Sequence, residues 1–212
     1  MKIKVCGMCE PSNIREVVDL GVDYIGFIFY EKSPRFIQNP PDLQDYGKAK
    51  KVGVFVNASL ALIEEKIDKF ALDMLQLHGG ESVAFCKQLQ ERLNKRNAEH
   101  QQRVEVIKVF SVDDNFDFST LEEFTPYINY FLFDTKGKNL GGNGIRFDWN
   151  ILKKDHLQVP FFLSGGIDLP HIEAIKALKD LPIYALDINS CFELRAGLKN
   201  ISKIQKFLEL LT

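Results

Sequence analysis

Short apolar runs alternate along this chain with stretches whose apolar residues recur every three or four positions. Over about Lys2–Cys6, Ile3 and Val5 alternate with polar neighbours, the period-two pattern of a strand. Ile14, Val17 and Val18 then share one helical face, with Gly21 as a C-cap. The next run, Asp23–Phe29, is too continuous for a half-exposed strand and fits a parallel sheet covered on both faces. Pro40-Pro41 predicts a short helix reaching about Lys48, and Lys51–Val56 a third strand. Leu60, Ile63, Ile67 and Phe70 step by three and four, as on a helix. Met74–Leu77 reads as a strand, and Cys86, Leu89 and Leu93 line the inner face of the helix that follows. The polar stretch Asn94–Arg103 extends that helix and its loop into solvent.

Further strands are predicted at Val104–Phe110, Tyr130–Phe133, Pro160–Leu163 and Ile183–Ile188. Helical segments fall over Ser119–Phe124, from near Phe147-Asp148-Trp149, and after Asp168, where Ile172, Ile175 and Leu178 are the apolar positions. Leu198, Ile201, Ile204, Phe207, Leu208 and Leu211 mark the last helix. Eight strands, each followed by a helical segment and with no break in composition, predict an α/β fold: a (β/α)8 TIM barrel, one domain over residues 1–212. A doubly wound open sheet is the alternative. It needs fewer strands and usually a phosphate loop after the first, whereas the glycine-rich loops here are expected after strands six, seven and eight.

A formal net charge of −2 argues against a general nucleic-acid or anionic-membrane surface. No apolar run approaches the roughly 20 residues of a membrane span, and no signal peptide is evident. The expectation is a cytoplasmic protein with no nucleic-acid, membrane or obligate protein partner. Its four cysteines, at 6, 9, 86 and 191, would then stay reduced.

In such a barrel the active site is built from residues leaving the C-terminal strand ends. Those residues are Cys6; Lys32 and Arg35; Asn57; His78; Ser111; Asp134; Ser164-Gly165-Gly166; and Asp187 with Asn189-Ser190. They lack the His and carboxylate set of a catalytic metal site. Glycine turns let backbone N–H groups approach an anion, so the turns at Gly165-Gly166 and Asn189-Ser190 are candidate phosphate sites; alternatively they are only tight turns. Cys6 and Asp134, on strands that are not neighbours, face each other across the mouth and could act as base and acid. Alternatively, Cys6 is a small core residue and Asp134 a cap. Free thiols titrate near about 8.5 and Asp carboxyls near about 3.9, so either role asks the protein to shift the group. Cys6 and Cys9 also have Cys-x-x-Cys spacing, which suits a redox pair. Arg35, after Lys32-Ser33-Pro34, suits a carboxylate ligand or a surface ion pair. His78 stands at the rim, Asn57 reads as a helix cap, and Asp187 either binds a substrate hydroxyl or orients its loop.

Taken together, several motifs resemble the phosphoribosylanthranilate isomerase family. They are Lys4-Val5-Cys6-Gly7-Met8, Gly26-Phe27-Ile28-Phe29-Tyr30 with Lys32-Ser33-Pro34-Arg35, Val52–Asn57 and Leu75-Gln76-Leu77-His78-Gly79. Leu132–Lys136, Gly141–Gly144 with Phe147-Asp148-Trp149, Leu163–Gly166, and Leu186–Ser190 with Glu193 complete the set, in order and over nearly the whole chain. The resemblance implies a (β/α)8 isomerase of tryptophan biosynthesis that needs no cofactor. Its substrate would be the phosphorylated small molecule N-(5'-phosphoribosyl)anthranilate. It further implies Asp134 as general acid, Cys6 as general base, Arg35 on the anthranilate carboxylate, and phosphate held around Gly142–Gly144, Gly165–Gly166 and Asn189–Cys191. Family members usually have glycine at the position of Cys191 and lack Cys9. The first difference raises the prospect of an altered turn, the second of oxidation of Cys6. The related histidine-pathway isomerase would call for an aspartate in place of Cys6. A thiol redox or phosphate-binding module would use Cys6 and Cys9.

Overall fold

Eight parallel strands close on one another in chain order in the computed structural model, which describes residues 1–42, 45–100, 103–135, 148–154 and 159–211. They are β1 (Lys2–Val5), β2 (Tyr24–Ile28), β3 (Lys50–Phe55), β4 (Met74–Leu77), β5 (Glu105–Val112), β6 (Tyr130–Thr135), β7 (Phe161–Leu163) and β8 (Ile183–Ile188). β8 returns to pair with β1, setting Lys4 opposite Asp187. The barrel expected from the sequence is therefore the fold found.

Side chains alternate between the two faces of each strand. Ile3, Val5, Ile25, Phe27, Leu75 and Leu77 belong to the buried layer between strands and helices. Tyr24, Val52, Met74, Ile107, Leu132, Phe162 and Ala185 fill the barrel interior. On β1 the interior positions go to Lys2, Lys4 and Cys6; Lys4 and Cys6 are buried there, while Lys2, at the start of the strand, is exposed.

The outer layer holds α1 (Pro11–Asp19), α2 (Leu60–Phe70), α3 (Val83–His100), α4 (Ile172–Lys176) and α5 (Ile201–Leu211). Ser59 caps α2 by accepting the Leu62 N–H. Helices of the 3-10 type, Phe118–Tyr127, Trp149–Lys154, Leu169–His171 and Ser190–Phe192, serve the later strands. Asp168 caps the third of these, as the sequence suggests. After Phe192 the chain forms a hairpin, β9 (Glu193–Arg195) with β10 (Leu198–Lys199), before α5 begins.

One predicted element is absent. No helix forms among the described residues between Pro40 and Lys48. Asp45 instead accepts the Gly47 N–H, and Gly47 takes φ +55, a turn that breaks a helical path. Tyr46 covers β2 directly, its ring edge-on to Phe27 at 6.2 Å between centroids. Among the described residues no helix is long and apolar enough to cross a membrane.

Candidate active site

The C-terminal strand ends bring most of the predicted groups to one mouth. Cys6 continues the register of β1, its N–H donating to the Ile188 carbonyl at 2.9 Å. Its side chain points inward beside Gly26. A Cβ on Gly26 would lie 2.8 Å from the Cys6 sulfur and 3.1 Å from its Cα, so this strand position must be bare for the thiol to fit. Burial pushes the Cys6 thiol above its ordinary value; Lys4 opposes that rise and Asp187 adds to it.

Lys4, two residues earlier on the same face, is fully buried. Its ammonium donates to both carboxylate oxygens of Asp187, each at 2.9 Å. Burial disfavours the ammonium, but Asp187 and Cys6 more than compensate, and its pKa rises. Burial raises Asp187 as well, against Lys4, and the nearby Asp134 adds to the rise. Asp187 thus interacts with both Cys6 and Asp134, on either side of the mouth.

Asp134, near the end of β6, is 7% exposed. One of its oxygens accepts the Thr135 N–H at 2.9 Å. The other lies 3.5 Å from His78 Nε2. His78 Nδ1 lies 3.0 Å from Gln76 Nε2, which ties the imidazole to the strand below it. The Ser164–Gly166 turn packs against this acid. Gly165, at φ +88, would bring a Cβ to 2.6 Å from the Thr135 nitrogen and 3.1 Å from Asp134 Oδ1, so only glycine lets the turn sit there.

The next turn runs through Asn189 into the Ser190–Phe192 helix. Lys203, from α5, donates to the Cys191 carbonyl at 2.6 Å and pairs with Asp168 at 2.7 Å. Among the described residues, positive φ outside glycine occurs at Asn57 and Ala71 and not at Cys191. The cysteine therefore occupies this turn without left-handed strain.

Arg35 is engaged within the protein. Its Nε lies 2.9 and 3.1 Å from the two oxygens of Glu193, and its Nη2 donates to one of them at 2.6 Å. Glu193 also receives Lys199 at 2.7 Å, and Lys199 reaches Asn189 Oδ1 at 2.7 Å. Asn57 does not cap α2, as expected from the sequence; Ser59 does. Asn57 instead ties two rim loops together, its N–H donating to Glu81 at 2.8 Å and its Oδ1 accepting from Gly80 at 2.8 Å. Cys9 directs its thiol to the carbonyls of Gly7 and Arg35, and all four cysteines are free thiols. Gly142 and Gly144 lie outside the described residues, as do their neighbours Gly141 and Asn143.

Sequence reasoning did not single out Lys4, Gln76, Glu81, Lys108 or Lys199 for the site. Lys108 pairs with Glu81 at 3.0 Å and bonds the Gly79 carbonyl at 2.9 Å, holding the loop after His78. For Lys4 and Gln76 the available signal was a charged or amide side chain inside an otherwise apolar strand, at the register that faces the barrel interior; Glu81, Lys108 and Lys199 lie outside that register.

All of these groups leave the same ends of the strands, where (β/α)8 enzymes do their chemistry, and the chain is an enzyme of that class. Comparison with known proteins narrows the class. Residues 3–210 match the family model described as N-(5'-phosphoribosyl)anthranilate isomerase, and the chain belongs to that family. It is 44% identical to the N-(5'-phosphoribosyl)anthranilate isomerase of Parabacteroides distasonis, over 99% of this chain and 92% of that one. It is also similar to the crystal structure of the Thermotoga maritima phosphoribosyl anthranilate isomerase, with a TM-score of 0.81 and 27% identity, covering 100% of this chain and 98% of that chain. A further structure of a phosphoribosyl anthranilate isomerase, solved in complex with reduced 1-(o-carboxyphenylamino)-1-deoxyribulose 5-phosphate, matches with a TM-score of 0.76 and 25% identity over 100% of this chain and 98% of that chain.

Proposed function

We propose that the chain converts N-(5'-phosphoribosyl)anthranilate to 1-(o-carboxyphenylamino)-1-deoxyribulose 5-phosphate in tryptophan biosynthesis, with Asp134 as general acid and Cys6 as general base. Asp134 protonates the furanose ring oxygen. The C1'–O bond breaks, and the nitrogen lone pair forms a protonated imine at C1'. That imine draws electrons from C2', so a thiolate is a sufficient base for the C2' proton. The resulting enolamine takes a proton at C1' from the Cys6 thiol and loses the enol O–H proton, which restores the acid. Oxidation at C2' and reduction at C1' occur within one molecule, so the proposed chemistry calls for no cofactor.

The observation that carries this reading is the shared position of Asp187. Beyond burial, its charge raises the Cys6 thiol and Asp134 raises its own carboxyl, and Cys6 and Asp134 are both buried at the C-terminal ends of strands that are not neighbours. Proton transfer by such placed groups typically contributes about 10²–10⁴-fold. Asp187, held by Lys4, offers its carboxylate to a ribose hydroxyl, and His78 steadies Asp134. Phosphate is assigned to the backbone at Gly165–Gly166 and Asn189–Cys191, with Gly142 and Gly144 completing it from the sequence pattern. The free edge of the Arg35 guanidinium is assigned to the anthranilate carboxylate.

Freshly prepared N-(5'-phosphoribosyl)anthranilate should lose its anthranilate fluorescence when the protein is added. Folded protein that gives no turnover would overturn the proposal.

A further inference from the structure

Lys4 is a costly residue to place where it is. A fully buried ammonium needs a partner, and a barrel interior accepts a packed apolar side chain at such a position without that cost. Asp187 supplies the partner, but it does not account for the lysine, because an apolar pair would fill the same space. The third member of the cluster does. Lys4 and Cys6 are two residues apart on one strand, both facing inward and both buried, and the charge of the ammonium opposes the burial that raises the thiol. Gly26 keeps the sulfur pressed into this corner by offering no side chain of its own.

We infer that Lys4 is a positioning residue for the reaction: it stands as the buried counter-cation of the Cys6 thiolate, and Asp187 holds the ammonium in place to do so. The inference rests on the reading of Cys6 as the base. A thiol at this site faces four charged groups. Lys4 comes from its own strand, Asp187 from β8, Lys199 from β10, and Arg35 from the loop after β2. Asp134 and His78 act on Asp187 from across the mouth. Lys4 gives the strongest of the effects that favour the thiolate, while burial and Asp187 both disfavour it. Without Lys4 the largest effect that opposes burial and the Asp187 charge at this thiol would be gone. With Lys4, removal of the C2' proton passes the negative charge from a paired thiolate to the substrate, and the ammonium then faces Asp187 and a neutral thiol.

The test follows alkylation of Cys6 by iodoacetamide as a function of pH, read by fragment-level mass spectrometry that localises the label and so separates Cys6 from Cys9 on the same peptide. Lys4→Met should move the Cys6 titration upward by about one pH unit or more. Lys4→Arg, which keeps a cation, should restore most of the wild-type profile. Asp187→Asn should move it downward, because it removes a negative neighbour. An ion pair that serves only the packing and does not act on the thiol would leave both titrations where they are. If Lys4→Met fails to fold, the Lys4→Met/Asp187→Asn pair, which buries no lone charge, takes its place and should titrate above Asp187→Asn. The rising limb of kcat/KM against pH should move with the thiol in each folded variant. A Cys6 titration unchanged by loss of Lys4, or shifted upward by Asp187→Asn, would overturn the inference. Turnover that survives Cys6→Ser would instead remove the base assignment, a separate result that leaves the alkylation titrations readable.

Discussion

The guanidinium of Arg35 lies against both carboxylate oxygens of Glu193, with its shortest contact at 2.6 Å, and so ties the loop after β2 to the hairpin after β8. The pairing presents a fixed cation at the rim, with one guanidinium edge turned away from Glu193. Arg35→Lys keeps the charge but loses the planar fork. Hydrogen bonds to charged groups are worth about 1.5–3 kcal/mol, so kcat/KM should fall roughly 10- to 100-fold, mostly through KM. Steady-state kinetics with a lysine variant that match the wild type would remove Arg35 from substrate recognition.

Glu193 gives this same contact a pH dependence. Burial raises a carboxyl, but Arg35 and Lys199 outweigh it and hold Glu193 below the ordinary value of 4.5. A carboxyl depressed in the folded state stabilises the protein above its unfolded pKa, and that contribution is lost as pH falls through the folded pKa. Stability should therefore drop below about pH 4.5 in part because this site must take up a proton. In Glu193→Gln the gap between urea midpoints at pH 7 and at pH 4 should narrow. An equal gap in the two proteins would show that the network does not couple to folding.

Much of the barrel was legible because parallel strands buried on both faces leave continuous apolar runs, as at Tyr24–Ile28, and α2 carries a clean three-four repeat. β1 shows where such patterns stop short. Its alternation predicts a strand, but alternation alone does not say that the polar side faces inward; closure of the sheet against β8 decides that. The segment after Pro40-Pro41 failed for a different reason. Tyr46 does from a turn what a helix does elsewhere, and a lone aromatic covering a strand has no period to read. Asn57 looked like a cap because caps are local, whereas its partners Glu81 and Gly80 come from the next strand's loop. For the site, residue types at strand ends sufficed to nominate Cys6, Asp134, His78 and Asp187. Their supports, Lys4, Gln76 and Lys108, are long polar side chains within strands, and only the register shows that Lys4 and Gln76 point into the barrel while Lys108 lies on the outer face, against the loop after β4.

The close approach of Gly26 to Cys6 leads to a packing prediction. The contact involves Cys6 Cα at 3.1 Å as well as its sulfur, so a new methyl cannot be relieved by rotating the thiol alone. Gly26→Ala should cost about 1–3 kcal/mol, the usual range for overpacking, and should lower kcat by displacing Cys6. Chemical denaturation and kinetics on the one variant check both halves. A stable, fully active Gly26→Ala protein would mean that β1 and β2 have room that the packing denies.

Cys6→Ser and Asp134→Asn bear most directly on the chemistry. Serine keeps the size of the side chain but does not ionise in the working range. Asparagine keeps an oxygen for the Thr135 N–H but has no carboxyl proton to give. Each change should lower kcat by about 10²–10⁴-fold, with smaller effects on KM, because each removes a group that acts on protons in the transition state and not in binding. The two losses should not multiply in the double variant, since ring opening and C2' deprotonation are successive steps and the slower one sets the rate. Each single variant should retain the wild-type urea midpoint to within a modest shift, so that lost turnover reports chemistry and not unfolding. An unchanged kcat in a folded Cys6→Ser protein would withdraw the base from Cys6, and the same result in Asp134→Asn would withdraw the acid from Asp134.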